Sequence, residues 1–183
     1  MARRPYPSKS LGDRLIECWN TNNRVTESFF KNLPDELWEM KLPGIPRRTI
    51  RMLAGHTHNA RCMWIKMIGR RYRITAPRSV DRRRVTRREL LRALRQSSEG
   101  MVRLLNAGLN NGGILEIKVP WSNIPSDVVH FMTYIAAHEA HHRGQIILAA
   151  RILNHRLPPA LSNGVWQWKR LAKQTGGKRK RRS

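Results

Sequence analysis

Four long stretches of this chain place apolar residues at three- and four-residue spacing, and proline or glycine interrupts each one. Across residues 10–33 the apolar face is Leu11, Leu15, Cys18, Val25 and Phe29, and Pro34 ends it. A second helix is expected from about Pro46 to Gly69, with Ile50, Leu53, Ala60, Met63 and Met67 as its stripe and His56 at the missing step. Thr86-Arg87-Arg88-Glu89 has capping-box spacing and opens a third helix carrying Leu90, Leu94, Met101 and Leu105, which fades near Gly108. A fourth starts near Pro125, a residue suited to a first helical turn, and runs to about Asn154 before Pro158-Pro159 forbid continuation. Asn110-Asn111-Gly112-Gly113 is a turn signal, residues 114–119 alternate like a short strand or extended connector, and residues 165–173 fit a short terminal helix. The expected fold is all-α: a four-helix bundle with one long crossover, between the second and third or the third and fourth helices.

Composition narrows the class. A chain of 183 residues that is 40% hydrophobic fits one domain with one buried core. No apolar run approaches the roughly 18 residues a membrane helix needs, so no membrane association is expected. Residues 1–9 are basic but lead into no apolar segment, so they read as an arm and not as a secretory signal. Two cysteines, Cys18 and Cys62, cannot make a disulfide framework and suit a reducing, cytoplasmic setting. The expected organisation is a basic arm over 1–9, the bundle over 10–173, and a disordered basic tail over 174–183.

Lys and Arg number 36 against 12 acids, a formal charge of +24. Eleven arginines fall within residues 70–95, and eight Lys or Arg within residues 169–183. Such segments attract polyanions at low salt by counterion release, which makes non-specific nucleic-acid contact one expectation. The other is a solvated surface, because no aromatic interleaving or nucleic-acid motif accompanies the arginines.

The fourth helix carries the chemistry. Its inward stripe reads Val128, Phe131, Ile135, His138, His142, Ile146 or Gln145, Ala149, Leu153, so two histidines take apolar steps. At i, i+4 they stand one turn apart on one face, within reach of a common metal. His56 breaks the second stripe in the same way. Three core-facing histidines on two helices form a metal-site pattern, since burying unpaired polar groups would cost roughly 2–7 kcal/mol each. His141, at i+3 from His138, is the alternative to His142. His58 is expected to face outward, while His130 and His155 lack partners at ligand spacing. Cys62 lies about 120° around the helix from His56, and Glu139 about 100° from His138, so neither is counted as a ligand. Gly144 either lets a neighbouring helix approach or is a tolerated weak spot, and Arg143 faces either an anionic substrate or solvent.

The block His138-Glu139-Ala140-His141-His142-Arg143-Gly144-Gln145-Ile146 resembles the signature of the DinB/YfiT superfamily of bacterial four-helix-bundle metalloproteins. Leu53-Ala54-Gly55-His56 resembles the segment where that family places its first ligand. The resemblance covers residues 10–155 and implies His56, His138 and His142 as the metal triad. It also implies a divalent ion, zinc or nickel, and an activity of the thiol S-transferase or hydrolase type on a small-molecule substrate, with a low-molecular-weight thiol as cosubstrate.

Three imidazoles leave a tetrahedral ion an open position, the arrangement of catalytic sites. A metal-dependent enzyme is therefore the leading expectation. The rival is a nucleic-acid-associated basic scaffold with a structural or vestigial metal, which a stripe of Arg71, Arg73, Arg82, Arg83, Arg84, Arg87 and Arg88 on one face would favour. A third reading is an interaction protein, a homodimer using Trp166 and Trp168 as anchors. Those two tryptophans serve equally well as a cover over the end of the core.

Overall fold

The computed structural model describes residues 9–174, so the N-terminal residues 1–8 of the expected arm and residues 175–183 of the expected tail lie outside it. The chain is mostly helical, in line with the all-α expectation. Four long helices, α1 (Leu11–Asn32), α3 (Ile50–Gly69), α4 (Arg87–Asn110) and α5 (Val128–Ile152), pack on one another. A short helix, α2 (Asp35–Trp38), lies between α1 and α3, and two more, α6 (Pro159–Ser162) and α7 (Trp168–Ala172), follow α5. Among the described residues, no helix is long and apolar enough to cross a membrane.

Local chemistry sets the ends of these helices. Ser10 and Asp13 close a capping box at the start of α1, and Thr86 and Glu89 close the expected one at the start of α4. Asp127 caps α5 through the backbone N–H groups of Val129 and His130, so that helix begins three residues later than Pro125. The second long helix also begins later than expected. Thr49 caps it, accepting from the Met52 N–H at 3.2 Å, and the residues before it form a hairpin. Strand β1 (Lys41–Leu42) pairs antiparallel with β2 (Ile45–Thr49). Gly44, at φ 74°, turns the chain between them, and Pro46 is tolerated because a two-stranded ribbon consists of edges. Residues 114–119 form no strand. One bridge pairs Ile114 with Asp127, while Leu115 and Val119 are buried as anchors of an irregular connection. Both connections, 70–86 and 111–127, are long.

The core comprises two apolar clusters. Trp19, Trp64, Ile65, Met101 and Phe131 belong to one, and Phe30, Leu37, Ile50, Leu90 and Ile146 to the other. Helix α3 departs most from the expected stripe. Met63 and Met67 are 39% and 42% exposed, whereas Trp64, Ile65 and Ile68 are buried. His58, expected outward, is fully buried. The cause is tertiary: α3 packs against both α4 and α5, and the connection after it folds back over the side that would otherwise be wet. His58 Nε2 lies 3.0 Å from the Arg78 carbonyl, and the Asn59 amide bonds both the N–H and the carbonyl of Val80. A helix covered on three sides has no single apolar stripe.

Candidate metal centre

The i, i+4 spacing on α5 aims His138 and His142 to the same side, and packing of α3 on α5 brings His56 opposite them. His138 Nε2 lies 3.0 Å from His142 Nε2 and 3.3 Å from His56 Nε2. The three rings stand edge to face, with centroids 4.4–5.2 Å apart. Their ligand atoms all fall within 4.8 Å of one another, a separation compatible with one shared metal ion. A tetrahedral ion with bonds of about 2.0–2.1 Å holds neighbouring nitrogens about 3.3 Å apart, so the two measured separations already match its edges. Gln145 Oε1 lies 2.8 Å from His142 Nδ1 and accepts that N–H, which leaves the Nε2 lone pair facing the other two rings.

Electrostatics keep these imidazoles neutral and able to ligate. Burial, then the neighbouring His142 and His138, then the Arg82 and Arg48 charges lower His56 from 6.5 to about 4. Burial and then His142 lower His138. Burial lowers His142 too, against the opposing bond to Gln145. His141 is exposed, its ring centroid 5.2 Å from that of His142, and it stays outside the triad.

A cleft of about 340 Å³ adjoins His56 and His138 and is lined as well by Asn59, Met63, Trp64, Arg82 and Tyr134. The side chains that sequence reasoning left unassigned lie behind the histidines. Glu139 is fully buried, and its Oε1 accepts from Arg61 Nε at 2.6 Å. Glu139 Oε2 accepts from Arg61 Nη2 at 2.9 Å, Asn22 at 3.0 Å and Thr26 at 2.7 Å. Arg61 also donates to Asn23 and to the Leu94 carbonyl, and its guanidinium sits 4.9 Å over the Trp19 ring. Burial alone would raise the Glu139 pKa, but the Arg61 charge and hydrogen bonds outweigh it and hold the carboxyl below its usual range. Arg143 faces neither substrate nor solvent. It is buried against Thr26, Asn22 and Glu139. The available signal was a run of polar residues at core steps of α1 (Asn22, Asn23, Thr26), with opposite charges at core steps of two other helices.

Nothing within 4 Å would meet a Cβ at Gly144, so no close helix approach explains that glycine. The connection arginines do not form one row of free charges. Arg71 pairs with Glu116 and Arg87 with Asp35, while Arg82 lines the cleft. Trp166 is 79% exposed and does not cover the core.

A model of the DinB family matches residues 7–168, most of the chain and all of its long helices. The chain belongs to the DinB family. No curated protein and no solved structure matches it. Family membership and the histidine geometry agree in placing a potential divalent-metal site on this fold.

Proposed function

We propose that this DinB-family chain is a four-helix bundle with a long crossover. In this reading, His56, His138 and His142 hold one divalent ion, zinc or nickel, and the chain is a metal-dependent enzyme of the thiol S-transferase or hydrolase type. The observation that carries the reading is the convergence of three histidines: His138 Nε2 lies 3.0 Å from His142 Nε2 and 3.3 Å from His56 Nε2, all three ligand atoms lie within 4.8 Å of one another, and Gln145 Oε1 accepts from His142 Nδ1. His56, His138 and His142 would hold such an ion, and the adjoining cleft would admit a small molecule beside them. A bound divalent ion supplies a Lewis acid that keeps a thiol as thiolate or lowers the pKa of water toward about 7.

The chain's own residues do the rest. The neutral imidazoles give up no proton on ligating, and Gln145 holds His142 in register. Glu139 is excluded as a general base because it is buried behind the histidines and its charge is held by four hydrogen bonds, two from Arg61 and one each from Asn22 and Thr26. Proton removal from a thiol therefore falls to solvent at the cleft mouth.

Metal analysis of protein purified without an affinity tag should find one ion per chain. A small thiol and 1-chloro-2,4-dinitrobenzene then test transfer: a sulfur–carbon bond forms, chloride leaves, and the thiol proton goes to solvent. Metal-dependent product supports the transferase branch. Metal without product directs the test to ester and amide hydrolysis. Wild-type protein that takes up neither zinc nor nickel defeats the reading.

A further inference from the structure

Arg82 is held beside the histidine centre by a built device. Three residues of α3 receive the connection that follows it: His58 bonds the Arg78 carbonyl, Asn59 clamps Val80 at both backbone atoms, and Gly55 lies under Arg82. A Cβ at Gly55 would meet Arg82 Cγ at 3.2 Å and its Cα at 3.4 Å, so glycine here makes room for that residue next to His56. Asp81 then turns the chain away, bonding the N–H groups of Arg83, Arg84 and Val85. Among the described residues Arg82 makes no ion pair, unlike Arg71 and Arg84 of the same connection and Arg87 at the start of α4. No acidic side chain lines the cleft, and its lining includes the apolar Met63, Trp64 and the Tyr134 ring, which lies nearly parallel to His138.

We infer that the substrate of the histidine centre is a small oxyanion, a carboxylate or phosphate ester, whose anionic end is bound by Arg82 and whose flat apolar part lies on Met63, Trp64 and Tyr134. This rests on the metal-enzyme reading, since the ligand is taken to be that centre's substrate. The chemistry points one way. An unpaired guanidinium offers forked donors that match an oxyanion, and no carboxylate lines the cleft to pair with an organic cation. A volume of about 340 Å³ sits at the small end of the range for small-molecule sites.

The test uses the full chain, labelled with ¹⁵N, and four probes: benzoate, phenyl phosphate, neutral benzamide and cationic benzamidine. Each is titrated with and without zinc at physiological salt, reading the indole N–H of Trp64 and the side-chain N–H of Arg82. Benzoate or phenyl phosphate should bind about tenfold tighter than benzamide, the worth of one charge-assisted contact, and whichever binds tighter identifies the oxyanion. Benzamidine should not bind. The preference should vanish in Arg82→Gln, persist partly in Arg82→Lys, and remain whole in Arg103→Gln, which removes an equal charge elsewhere. Equal binding of benzoate and benzamide overturns the inference, as does an undiminished preference in Arg82→Gln or the absence of any binding. Zinc and nickel uptake are measured on the same protein. A chain that holds either metal without an anion preference overturns this inference alone. A chain that takes up neither zinc nor nickel but keeps the Arg82-dependent preference overturns the metal reading alone.

Discussion

At the residue scale, the proposed triad sets different expectations for neighbouring histidines. Replacing His142 with Ala removes one of three converging nitrogens and should abolish tight metal binding, whereas His141→Ala should retain most of it; metal titration of both variants checks this. Gln145→Leu should fold normally but lose roughly 10–100-fold in metal affinity, because its carbonyl fixes which His142 nitrogen carries the proton. Equal affinity in wild type and Gln145→Leu would mean that packing alone orients the ring. Cys62 is no rival ligand. Its thiol lies 3.2 Å from His58 Nε2 inside the protein, and burial pushes its pKa up to about 11.

At the element scale, the Arg61–Glu139 pair joins α3 to α5, with α1 supplying Asn22, Asn23 and Thr26 and α4 the Leu94 carbonyl. Removing Glu139 strands the buried charges of Arg61 and Arg143, so Glu139→Gln should cost about 3–5 kcal/mol, while Glu139→Leu combined with Arg61→Met and Arg143→Met, which leaves no charge behind, should recover part of that loss. Urea unfolding of the single and triple variants measures both. Two glycines give opposite expectations. At Gly108 a Cβ would overlap Val128 Cγ1 and come within 3.3 Å of Leu115 Cβ, atoms held close to their backbones, so Gly108→Ala should destabilise by about 1–3 kcal/mol through overpacking. Gly144 faces open space in mid-helix, and Gly144→Ala should stabilise by about 0.5–1 kcal/mol. A destabilised Gly144→Ala would show that something closes on that face.

For the whole molecule, pH links the centre to stability. His56, His138 and His142 are all held below their ordinary 6.5 in the folded chain, His56 at about 4. The unfolded chain therefore binds more protons across that window, and stability falls as pH drops from about 6.5 toward about 4. Metal-free protein should show a lower urea midpoint at about pH 5 than at about pH 7.5, and His56→Gln should reduce the difference. Metal affinity should fall in the same direction, since protons compete for the same lone pairs.

The sequence carried the four long helices, the cap at Thr86 and the three histidines, because periodicity, capping and i, i+4 geometry act within a few residues of chain. It did not determine the phase of α3. His58 went inside and Met63 outside because the distant segment 78–80 folds back onto that helix, and no local pattern encodes such a partner. The hairpin before α3 was hidden for a related reason: a two-residue strand has too few residues to show alternation. Tertiary structure alone decided that Arg61 and Glu139, 78 residues apart in sequence, neutralise each other in the core. It likewise decided that Arg82, one of eleven arginines within residues 70–95, stands at the histidine cleft while Arg71 and Arg87 are occupied elsewhere. A charge on a helix or loop can be read from sequence, but its partner is set by which surfaces the packed helices bring together.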